Sequence, residues 1–223
     1  MGFWVESTPE IFQWWWHGNS RFILQLKLTY LMKKPLVFAV LVAGAGAVHA
    51  QNDVSTNVPN VAPFQAEESP IQLSLAPDIA LYPRTTTVRG LSLNIWGENP
   101  QFGVALGLVN GSTGESGGFS WGIVNYDESY TGVQWGVVNM STENFTGWQD
   151  GCVNISQGRF TGFESGVVNV SEDTSGFQLG VVNYAERLNG VQLGLANFAM
   201  NNPWFTEFPD KLATGFPILN WSF

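Results

Sequence analysis

Gly132-Val-Gln-Trp-Gly-Val-Val-Asn139 and Gly176-Phe-Gln-Leu-Gly-Val-Val-Asn183 are two copies of one short unit, and the fold turns on how that unit is read. The same frame begins at Gly103, Gly118, Gly132, Gly147, Gly162, Gly176 and Gly190, at spacings of 15, 14, 15, 15, 14 and 14 residues. A second glycine follows four residues later in every unit, and an asparagine three residues after that: Asn110, Asn125, Asn139, Asn154, Asn169, Asn183 and Asn197. A fixed period is the mark of a repeat architecture, in which each unit buries itself against its neighbours.

The columns assign the secondary structure. The residue after the first glycine is always apolar (Val104, Phe119, Val133, Trp148, Phe163, Phe177, Val191), as are the two before the asparagine if Cys152 is counted with them. Between them lie a mostly polar column (Ala105, Ser120, Gln134, Gln149, Glu164, Gln178, Gln192) and a mixed one (Leu106, Trp121, Trp135, Asp150, Ser165, Leu179, Leu193). β-Branched and aromatic residues alternating with Gln, bounded by Ser, Thr, Asp and Gly, indicate strands. Two glycines per unit, each costing about 1 kcal/mol in a helix interior, exclude helix.

Two all-β architectures repeat such strands. In a β-solenoid each unit is one coil, equivalent residues stack about 4.8 Å apart, and the asparagines form a ladder. In an antiparallel outer-membrane barrel each unit is one strand. The terminal alternation Leu219, Trp221, Phe223 resembles the sorting strand of such barrels. Barrels alternate short turns with long loops, however, and these connectors are uniform. The uniformity and the asparagine register favour a solenoid of 14–15-residue coils over residues 71–223. Its seven clear units span 103–202, and divergent segments, Gly90–Gln101 and the C-terminus, cap the stack.

The N-terminal third reads as processing and linker. Met32-Lys33-Lys34, the apolar run Leu36–Val48 and the small residues about Ala50 have the anatomy of a secretory signal peptide over 32–50, with cleavage before Gln51. Translation is expected to start at Met32, making residues 1–31 an upstream extension foreign to the protein. Residues 51–70 are turn-rich and read as a disordered linker. Export of this kind places the chain at the surface, outer membrane or periplasm of a bacterium.

Cleavage changes the available chemistry. It removes both histidines, His17 and His49, and leaves five basic against sixteen acidic residues, a net charge of −11. Histidine triads and histidine-dependent metal sites are then excluded. So is a phosphate-binding surface of clustered Lys and Arg, whether for nucleic acid or for anionic lipid. The single cysteine, Cys152, forms no intramolecular disulfide and reads as a small buried hydrophobe. The acid pairs Asp127/Glu128 and Glu172/Asp173 are read as solvated turn acids rather than a cation or hydrolytic site. Asn-x-Ser/Thr triplets at Asn110, Asn139, Asn144, Asn154, Asn169 and Asn220 are mostly generated by the repeat itself. No catalytic, cofactor-binding or metal residue is assigned, and a non-enzymatic protein is expected.

The one candidate for partner binding is the mixed column: Leu106, Trp121, Trp135, Leu179 and Leu193. Facing outward it would be an apolar-aromatic stripe suited to another surface protein or a glycan. Facing inward it is core, the reading preferred here, although Asp150 and Ser165 then need an explanation. A membrane partner is expected only if the barrel holds.

Residues 88–223 resemble a group of bacterial surface-repeat proteins with tandem Gly-x-Gln-x-Gly-Leu-Val-Asn units, on the strength of Gly132–Asn139 and Gly190-Val-Gln-Leu-Gly-Leu-Ala-Asn197. The resemblance implies a structural or adhesive envelope protein and carries no ligand residues. A small porin-like barrel is the alternative function.

Overall fold

The computed structural model describes residues 67–223. The segments 1–31 and 32–50, and nearly all of 51–70, lie outside the described residues. The strands are β1 (Glu68–Ala76), β2 (Ile79–Ala80), β3 (Thr87–Glu98), β4 (Phe102–Trp121), β5 (Val124–Trp135), β6 (Val138–Ser141), β7 (Phe145–Ala199) and β8 (Gly215–Ser222). β1 thus begins three residues inside the stretch read as linker.

The fold is a β-solenoid. β3, β4, β5, β6 and β7 pair in parallel, each unit on the one before it. Gly118 lies beside Gly132, Asn125 beside Asn139, and Gln134 beside Gln149. A 55-residue strand such as β7 is therefore the chain winding through successive coils, each bonded to the next. Parallel neighbours one period apart rule out the antiparallel barrel. A meander would pair each unit antiparallel with the next and break the asparagine register.

The first glycine of each unit is required by the close approach of the coils. At Gly147 φ is +136°, and a Cβ there would lie 1.9 Å from the carbonyl oxygen of Gly132. Only hydrogen fits that gap, and only glycine adopts that φ without strain.

Both ends of the stack depart from the parallel pattern. β8 runs antiparallel along the last coil, with Gln192 opposite Asn220 and Gly190 opposite Ser222. At the other end, short β2 pairs antiparallel with β1, which itself continues the parallel stack onto β3.

The interior is polar. The alternation of the units suggests apolar residues inside, but most inward places of each coil are held by polar side chains. The inward places go to the polar column (Gln134, Gln149, Glu164, Gln178, Gln192), the asparagines, a serine column two residues further on (Ser112, Ser141, Ser156, Ser171), and the position two residues ahead of the next glycine. That last position supplies the largest apolar contact: Tyr130, Phe145 and Phe160 stack with ring centroids 5.9 and 5.6 Å apart, nearly parallel. Ala185, Leu188 and Ala199 take over near the C-terminal end. A polar interior is stable here because each side chain meets its own copy one coil away and the donors and acceptors match.

Candidate functional surface

Every asparagine of the repeat lies buried in one continuous ladder. The Nδ2 group of Asn110 donates to Oδ1 of Asn125, and the pattern continues through Asn139, Asn154, Asn169 and Asn183 to Asn197 at 2.8–3.0 Å. The second amide hydrogen reaches a backbone carbonyl of the following coil, as from Asn139 to Asp150 and from Asn154 to Ser165. The ladder starts one unit before the sequence repeat is visible, where Asn94 donates to Asn110 at 3.0 Å. Both hydrogens of each amide are used, which makes the column structural. Burial of Asn110, Asn139, Asn154, Asn169 and Asn220 also withdraws five of the six glycosylation-like triplets from any surface chemistry, leaving Asn144 exposed.

The parallel glutamine column is a second ladder with a direction. Nε2 of Gln149 donates to Oε1 of Gln134 at 3.0 Å, Gln178 to Glu164 at 2.7 Å, and Gln192 to Gln178 at 2.8 Å. Two acids sit within this interior. Glu164 stands in the glutamine column and accepts from Ser171 and Gln178; burial pushes its carboxyl up to about 7. Asp127 stands in the serine column and accepts from Gln134 at 2.5 Å; burial raises it to about 7 as well. The reading of Asp127 as a solvated turn acid is therefore corrected. Its signal was Ser141, Ser156 and Ser171 at the same place in later units, which marks an inward position. Its sequence neighbour Glu128 is exposed, and Glu172 and Asp173 pair on the outside with Arg187.

Two further expectations are overturned by the same inversion. The mixed column faces outward: Trp121 is 59% exposed, Trp135 38%, Leu179 40% and Leu193 37%, with Leu106 half-buried, so it is not core. Asp150 and Ser165 then need no special account. On an outer surface they bond to each other, and the indole of Trp148 donates to Ser165 at 3.2 Å. Cys152 is exposed as well, because the column it shares with Leu108, Ile123, Val137, Val167, Val181 and Leu195 points away from the coil.

The outer surface consequently divides into two. On one side, from the first glycine to the residue after the asparagine, stand apolar columns in every unit. Along it an aromatic path runs from Phe119 through Trp135, Trp148 and Phe163 to Phe177, with successive ring centroids 5.7, 5.4, 6.1 and 5.5 Å apart. On the other side, in the connectors, lie Glu115, Glu128, Glu143, Arg159, Glu172, Asp173, Glu186 and Arg187. At the N-terminal end, the indole of Trp96 donates to the Tyr126 hydroxyl, which donates in turn to Glu98. Burial and the Glu98 carboxylate hold that phenol above its ordinary range.

No three His, Cys, Asp or Glu side chains gather into a metal-binding group among the described residues. The apolar outer side, rather than a cleft, is the feature that function can use. Comparison of the chain with protein-family models, with curated proteins and with solved structures returned no match.

Proposed function

We propose that this chain is a non-enzymatic repeat scaffold of a bacterial cell envelope, whose outer apolar side is its binding surface. The observation that supports this most is how the polar side chains are divided. The ordered polar groups of the interior are spent on the Asn and Gln ladders, and the outer columns that remain are apolar and run the length of the stack. Monomeric proteins rarely leave an apolar patch larger than about 300–600 Å² in water, and larger ones mark interaction surfaces. The apparent signal sequence at 32–50 and the likeness of the units to surface-repeat proteins add the placement in the envelope.

Fractionation of bacteria expressing the full gene tests the reading. The expected result is a chain beginning at Gln51, recovered with the envelope. Recovery from the cytosol with residues 32–50 still attached would overturn it.

A further inference from the structure

The chain bends at Gly122–Ile123 and at Gly136–Val137, and at this corner two consecutive residues of each unit point out of the coil. The first of the pair is the most exposed apolar column on the molecule: Leu108 52%, Ile123 52%, Val137 48%, Val167 49%, Val181 43% and Leu195 73%. Stacked at the strand spacing of about 4.8 Å, it makes a convex aliphatic edge roughly 30–35 Å long. Neither this column nor the next two outward ones, from Val109 to Ala196 and from Gly111 to Phe198, holds a charged or amide side chain in any of the seven units.

We infer that this edge inserts into the acyl chains of an uncharged lipid leaflet, laying the solenoid on a membrane along its length. The inference deepens the proposed function by naming the partner of that surface. Composition changes around the coil as depth in a leaflet would require. The aliphatic edge comes first, the rings of Trp121, Trp135 and Trp148 stand beside it, and the charged connectors lie on the far side. Indole rings favour the boundary between hydrocarbon and headgroups. Asp150 and Ser165, bonded to each other, fall in the Trp column at that boundary rather than on the edge. Backbone groups entering hydrocarbon must be satisfied within the protein. Here they are: at the edge the amides of Val137, Val138 and Val153 donate to carbonyls of adjoining coils at 2.9–3.0 Å.

Charge selects the lipid. Only five basic residues lie in the described part, Arg84, Arg89, Arg159, Arg187 and Lys211, none of them on the edge, so nothing there favours anionic headgroups. Shape argues against a second copy. Two convex edges meet along a line, which buries less than the about 800 Å² per partner of a stable pair, whereas acyl chains wrap an edge. Absence of hydrogen-bonding side chains from the edge argues against a glycan there.

Cys152 is the sequence's single cysteine and lies on the edge, so the native chain carries its own reporter. Protein beginning at Gln51 and labelled there with an environment-sensitive fluorophore is mixed with phosphatidylcholine vesicles and floated. The expected result is flotation that persists at about 1 M salt, where charges are screened beyond ~3 Å, with a blue shift and severalfold brighter emission. The same label at Asn144→Cys in a Cys152→Ser background, on the charged side, stays in a polar environment. Val137→Asp with Val167→Asp abolishes flotation at an unchanged melting temperature. Protein left in the buffer fraction, a label at Cys152 that stays polar on floated protein, or a vesicle-free dimer that shields Cys152 each overturns the inference. None of these outcomes changes where the chain fractionates in cells, so the envelope reading stands or falls separately.

Discussion

Glu164 occupies a place where the neighbouring units have glutamine, and the direction of that ladder says what the substitution costs. Gln149, Gln178 and Gln192 each send Nε2 to a side-chain oxygen of the preceding coil, but a carboxylate at 164 has no hydrogen to send to Gln149, whose Oε1 is left with the Ser156 hydroxyl at 3.4 Å. The protonated acid does, which agrees with burial raising Glu164 to about 7. Asp127, buried and raised to about 7, behaves alike. The folded chain then holds more protons than the unfolded one between the ordinary carboxylate range and about pH 7. The stability these two acids contribute is therefore fully present below about pH 4 and is lost as pH rises through 7. Glu164→Gln should restore the missing donor, stabilise the protein at pH 8 by about 3 kcal/mol, and leave it nearly unchanged at pH 4. Urea melts of both proteins at the two pH values measure this, and a variant less stable than the parent at pH 8 contradicts it. The acid character of these two positions is plain in the sequence, but their inward orientation is visible only by aligning them with Gln149, Gln178, Ser141 and Ser156.

At the scale of the element, the coil is held by a ladder whose rungs are not equal. Asn154 accepts from Asn139 and donates to Asn169 and to the Ser165 carbonyl. Asn154→Ala leaves two buried amides facing an apolar methyl, at about 1–3 kcal/mol for each orphaned group. Asn94, the first rung, has a buried Oδ1 with no partner and one side-chain donation onward. Asn94→Ala should therefore cost less than half as much. Denaturation midpoints with unchanged slopes report the two losses directly, and equal losses would refute a directional ladder. Here the sequence was most legible. Glycine and asparagine at one period specify a close approach and a self-complementary amide, and both needs come from the backbone of a coil rather than from its surroundings. The aromatic stack was not legible, because its column reads Ser116, Tyr130, Phe145, Phe160, Thr174, Leu188, with no shared chemistry to reveal a shared position.

The whole molecule inverts the usual arrangement, with amides inside and aliphatics outside. Alternation tells which residues share a face but not which face is inward, and ordinary experience of cores placed Trp121, Trp135 and Cys152 on the wrong side. The amide ladders decide it: Asn and Gln turned inward each find their own copy one coil away, so the polar face can be the buried one. Trp121→Ala with Trp135→Ala should cost only about 1–2 kcal/mol, chiefly the ring contacts of Trp135 with Phe119 and Trp148. Phe145→Ala, which empties a fully buried place, should cost about 3–5 kcal/mol. Calorimetry ranks the two, and a double tryptophan variant that melts as early as the phenylalanine variant would return that column to the core.

β8 lies antiparallel across an edge that otherwise repeats without limit. Every coil beneath it offers the next a complete row of backbone donors and acceptors and an open asparagine amide. Phe216 answers that amide with a carbonyl and β8 answers the row with a strand of opposite sense. A parallel, in-register stack with amide ladders is also the arrangement of a cross-β fibril. The difference between a finite protein and a growing filament thus rests on β8 at this end and on β2 at the other. Chains truncated before Gly215 should associate through the bared edge, and their apparent mass in sedimentation should rise with concentration more steeply than that of the intact chain. The C-terminal strand is therefore a chain terminator in the polymer chemist's sense.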